Sequence, residues 1–69
     1  MPVVKIVELM GESSTSWEDA VNQAVRAASQ TVRNITGVEV TNMTASVDNG
    51  KITKYKADVH IAFAVDGTQ

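Results

Sequence analysis

From Thr53 to Val65 the chain alternates without a break. Thr53, Tyr55, Ala57, Val59, Ile61, Phe63 and Val65 fall on one side, and Lys54, Lys56, Asp58, His60, Ala62 and Ala64 on the other. A period of two places these sets on opposite faces of a β-strand, with one face in a core and the other turned to solvent, a lumen or a partner. Just upstream, Asp48-Asn49-Gly50 holds an Asn-Gly pair that takes positive φ in a tight turn, so residues 37–47 are expected to form the other arm of a hairpin. That arm is less regular. Val38 and Val40 share one face while Glu39, Thr41, Met43, Ala45 and Val47 share the other, and both faces are expected to be partly buried.

A helix precedes the hairpin. Thr15 and Glu18 stand at capping-box spacing, and apolar residues recur at Trp17, Val21, Ala24, Ala28, Val32 and Ile35 as one stripe, which predicts a helix from about Ser16 to Asn34. Ala20, Ala24, Ala27 and Ala28 would let it lie close against a sheet. Val3 to Met10 suits a strand, with Lys5 and Glu8 interrupting opposite faces as a bulge or an edge strand would allow, and Gly11 to Ser16 separates it from the helix. The expected fold is α+β: one domain over residues 1–69, in the order β-α-β-β, with a three-stranded antiparallel sheet wrapped around one amphipathic helix.

A chain of 69 residues without cysteine has no disulfides or thiolate metal sites to stabilise it, so burial against copies of itself is the expected remaining source of stability. Long sheet edges point the same way. Six basic residues against eight acidic ones, with no basic stripe, argue against a nucleic-acid partner. No apolar run approaches the roughly 20 residues that span a bilayer, and no signal-peptide pattern opens the chain, so a cytoplasmic protein is expected. Asn34-Ile35-Thr36 and Asn42-Met43-Thr44 match the glycosylation pattern, which has no consequence without a secretory route.

Little of the sequence suggests catalysis. His60 is the one histidine, and with Asp58 and Lys54 and Lys56 it forms a charged row best read as a solvated or intersubunit face. No nucleophile, base and orienting group can be assembled, so an enzyme is not expected. Ser13 to Ser16 lack the lysine and glycines of a phosphate loop and are read as capping residues, and Trp17 lies on the apolar stripe as a core or interface residue. Asp48-Asn49-Gly50 carries hard oxygen donors, but calcium takes six to eight oxygens and one turn supplies too few. In a symmetric oligomer, copies of Asp48, Glu39 or Glu12 could converge into a cage.

The segments Val4-Lys5-Ile6-Val7-Glu8, Gly11-Glu12-Ser13, Thr15-Ser16-Trp17-Glu18-Asp19-Ala20 and Tyr55-x-x-x-Val59-x-Ile61-x-Phe63 together resemble the dodecins over essentially the whole chain. The resemblance implies a homododecamer, a hollow 23-symmetric sphere. It also implies flavin sites near two-fold axes, built from a stacking tryptophan and a glutamine that hydrogen-bonds the pyrimidine edge. Here the tryptophan position falls on Gly37, an Arg-Gly pair on Thr44 and Ala45, and the glutamine on Lys56. Glycine offers no aromatic face and lysine no acceptor, so tight flavin binding of the usual kind is not expected. The stretch Thr15-Ser16-Trp17-Glu18 and the Val47-Asp48…Gly50-Lys51-Ile52-Thr53 turn look more like the calcium-dodecin subgroup, which implies cation binding at subunit contacts. The alternatives are a storage shell without flavin function, or a different planar ligand in the space opened at Gly37.

Overall fold

The computed structural model describes residues 3–65. Strand β1 (Val4–Ser13) leads to helix α1 (Trp17–Ser29), followed by the hairpin of β2 (Ile35–Asp48) and β3 (Lys51–Ala64). The sheet order is β1-β3-β2 and both pairings are antiparallel, so the alternating strand is central and β1 and β2 are edges. No described helix is long and apolar enough to cross a membrane.

The core is small because the helix sits very close to the sheet. Ala20, Ala24 and Ala28 of α1 meet Ala57, Val59 and Ile61 of β3, with Val7, Leu9, Val21, Val25 and Ile35 packed around them. Of the four helical alanines expected to face the sheet, Ala27 is exposed. Gly11 completes the approach: a Cβ there would overlap the backbone carbonyl of Ala20 and come within 3.2 Å of the Ala24 methyl. The glycine that marked the end of the first strand in the sequence is therefore inside it, and β1 runs on to Ser13. Its pairing with β3 is continuous from Val4↔Ala64 to Ser13↔Tyr55, so β1 is the edge strand its interrupted pattern allowed, without a bulge.

The helix starts and stops differently from expectation. The N-cap is Ser16, whose Oγ accepts the Asp19 N–H at 3.0 Å, rather than Thr15 paired with Glu18. Ser13 explains the shift. Its Oγ accepts the backbone N–H of Thr15 at 3.0 Å and donates to Asp19 Oδ2 at 2.6 Å, tying the end of β1 to the first helical turn. This bond holds the Asp19 carboxyl below its ordinary value. At the other end α1 stops at Ser29, not Asn34. Thr31 and Val32 still donate to Ala28 O, but Asn34 takes φ 63° and its carbonyl accepts Ala64 N–H at 3.0 Å. The chain has to reverse there to enter the sheet, and β-branched residues beside an asparagine favour the reversal over another helical turn.

The hairpin turns through Asn49 (φ 54°) and Gly50 (φ 79°) between the pair Asp48↔Lys51, as the Asn-Gly pair predicts. Elsewhere its ladder breaks three times, between Ile35 and Gly37, between Val40 and Asn42, and between Ser46 and Val47. The unpaired residues are Thr36, Thr41 and, on β3, Thr53. Each donates its hydroxyl to a carbonyl of the facing strand: Thr36 to Ala62 at 3.5 Å, Thr41 to Asp58 at 3.0 Å and Thr53 to Ser46 at 3.4 Å. Threonine is thus a strand former that supplies a side-chain donor where the backbone ladder is broken. The bulge at Thr41 also corrects the face assignment of β2. Met43 and Ala45 pair with Ala57 and Tyr55 and join Val38 and Val40 on the helix side, and β2 is almost wholly exposed instead of partly buried on both faces.

Gly11→Ala is expected to destabilise the protein by about 3 kcal/mol, the upper end for overpacking, because the clash is with backbone; thermal unfolding measures it. Thr41→Val keeps the shape and removes the bridging hydroxyl, with an expected loss of about 1 kcal/mol in chemical denaturation.

Candidate functional site: the outer face of the sheet

The register sorts the polar residues into rows across the sheet on the side away from the helix. Ile6, Ala62 and Gly37 form one row, Glu8, His60 and Glu39 the next, then Met10, Asp58 and Asn42, then Glu12, Lys56 and Thr44. The alternation of β3 created this face, and the bulges of β2 keep its polar side chains there.

Charge on this face is concentrated around His60. Its Nε2 lies 3.9 Å from Glu8 Oε2 and its Nδ1 3.6 Å from Glu39 Oε1, so the imidazole sits between carboxylates of both edge strands. Glu8 also meets Asp58. A hydrogen bond to Asp58, reinforced by its charge, raises the Glu8 pKa above the ordinary carboxylate value, and the His60 charge opposes this. One row further along, Lys54 Nζ lies 3.2 Å from Glu12 Oε1. The sequence placed His60 on a charged row with Asp58, Lys54 and Lys56. The carboxylates that the neighbouring strands bring to it could not be seen without the register.

The residues singled out for ligand binding are distributed unevenly over this surface. Gly37, Thr44 and Lys56 share the outer face, whereas Ala45 lies on the helix side opposite Tyr55. A Cβ added at Gly37 would meet nothing within 4 Å, so a side chain there starts into open space within one chain. The proposed metal ligands do not meet. Glu39 adjoins His60, Glu12 is held by Lys54 two rows away, and Asp48 is at the hairpin turn. At roughly 3.3 Å per strand residue, the rows of Glu39 and Glu12 stand about 13 Å apart. Among the described residues no group of three His, Asp or Glu could hold a metal ion within one chain. Trp17 has its own role: its Nε1–H donates to Thr44 O at 2.8 Å and its ring meets Tyr55 edge-on at 4.8 Å, joining the start of α1 to the hairpin.

The sequence model of the dodecin family matches residues 3–66. The chain belongs to the dodecin family. Among relatives of this dodecin, the calcium dodecin of Mycobacterium tuberculosis is 36% identical over 70 residues, covering 100% of this chain and 97% of that protein. The crystal structure of that calcium-chelating immunodominant antigen, with a novel calcium-binding site, superimposes with a TM-score of 0.80 at 34% identity, covering 97% of this chain and 96% of the other. The dodecin from Streptomyces coelicolor superimposes with a TM-score of 0.92 at 25% identity over 97% and 96% of the two chains.

Asp58→Asn is expected to return Glu8 toward the ordinary carboxylate range, because both of the larger upward influences come from Asp58. In the native protein the folded state holds the Glu8 proton more firmly than the unfolded chain does. This contribution favours folding at low pH and is lost as pH rises through the raised value. Carboxyl-detected NMR titration of the two proteins reads the difference.

Proposed function

We propose that this dodecin forms a hollow 23-symmetric homododecamer in the cytoplasm that binds a small ligand or cation without catalysing a reaction, with calcium held where subunits meet and the usual flavin stack lost. The full-length similarity to a calcium dodecin carries this reading. The geometry of the single chain agrees with it. Val4, Ile6, Met10, Val38, Val40, Met43 and other large apolar side chains are exposed on a molecule only 13 Å thick along its shortest axis, which favours burial against further copies. The dispersed positions of Glu12, Glu39 and Asp48 support a cation site made from more than one copy, since calcium takes carboxylate oxygens in sets of six to eight. Glu12 meets Lys54 through Oε1 alone, which leaves Oε2 of this exposed carboxylate for an ion.

A second reading has one observation of its own. The open space at Gly37 would accept a planar molecule other than flavin, or flavin held without the tryptophan.

Native mass spectrometry of the purified protein tests both readings. A twelve-subunit species without flavin is expected; a monomer would overturn the assembly, and retained flavin would overturn the loss of its site. Calcium titration of Glu12→Ala, Glu39→Ala and Asp48→Ala is expected to show weakened binding, and unaltered binding in all three would remove them as ligands. Gly37→Trp combined with Lys56→Gln is expected to raise flavin affinity, read as quenching of flavin fluorescence.

A further inference from the structure

A cavity of about 430 Å³ opens at the end of the sheet where the chain leaves α1 and enters β2. It is separate from the outer-face positions. Lys5 pairs with Phe63, which shares the helix side of β3 with Ile61 and Val59, whereas Gly37, Thr44 and Lys56 occupy the other side. Phe63, Val32 and Val65 form its apolar wall, and Lys5, Arg33 and Thr31 bring polar groups to it. No aspartate or glutamate is among its described lining residues, although the chain as a whole has a net charge of −2. Neither the Lys5 nor the Arg33 side chain has an ion pair or hydrogen bond among the described residues. Lys5 stands out further because Val7 and Leu9, which follow it on the helix side of β1, pack against the core.

We propose that this cavity is a binding site for a small oxyanion with an apolar body, a carboxylate or phosphate ester whose head lies between Lys5 and Arg33 and whose body rests on Phe63. Its volume is in the range of small-molecule sites, which combine an apolar lining with a few convergent polar groups. The arginine fork and the lysine ammonium match oxygen anions of either kind, and Thr31 adds a hydroxyl at the rim.

Isothermal titration of the assembled protein with phenyl phosphate and with benzoate tests the site. Inorganic phosphate serves as a head without a body and benzyl alcohol as a body without charge. At least one of the two aryl anions is expected to bind, and the stronger of them identifies the head group. Inorganic phosphate and benzyl alcohol should each bind at least about tenfold more weakly than that anion, and Lys5→Ala or Arg33→Ala should weaken it by about tenfold while Arg26→Ala leaves it unchanged. Should an alanine variant alter the assembly mass, Lys5→Gln and Arg33→Gln keep most of the aliphatic stem and take its place. Failure of both aryl anions to bind, equal affinity in all variants, or benzyl alcohol binding as tightly as the anions would each overturn the site and leave Lys5 as a charge that only guards an edge strand. None of these outcomes depends on calcium, flavin or the number of subunits.

Discussion

The contact between Gly11 and the Ala20 carbonyl governs the architecture. Because no side chain intervenes there, α1 lies against β1 and β3 through three alanines, and the six residues of the buried apolar core include none larger than isoleucine. A core this thin cannot cover a three-stranded sheet. The helix barely reaches β2, so Val38, Val40 and Met43 face the helix side without a helix above them. The shallow packing that folds the monomer also leaves the apolar surface from which an assembly of copies can be built.

Element order, the turn and the core face of β3 were legible because each depends on local chemistry: the alternation of residues 53–65, the positive φ of Asn49 and Gly50, and the apolar stripe of α1. Gly11 was misleading because glycine has two uses, and only the position of Ala20 shows that close approach is the one required here. The helix stripe continued past Ser29 because Val32 is half-buried and Ile35 packs against the core from outside the helix, so periodicity alone could not mark the end. The bulges were hidden for a related reason. A threonine in a strand gives no sign that its hydroxyl will bridge a broken ladder, yet the one at position 41 reverses the faces of the β2 residues after it.

The surface chemistry was less legible than the fold. Gly37 and Lys56 could be placed by resemblance and both lie on one face, but Ala45 does not, because the paired residue Tyr55 belongs to the helix side. The grouping of Glu8, Asp58 and Glu39 about His60 depends on three strands at once. The Lys5–Arg33 cavity likewise joins residues far apart in the chain, and in the sequence Lys5 was only an interruption of a strand. Sites built across strands require the register before they can be read.

The threonines at 36, 41 and 53 separate the length of the hairpin from its pattern of faces. Deleting any one of them would leave every flanking pair on its present side and straighten the ladder locally, whereas deleting a paired residue would turn the remaining strand over. These three positions therefore act as adjustable joints, through which small insertions and deletions could change the bend of the sheet, and with it the radius of any closed shell, without changing which residues face outward.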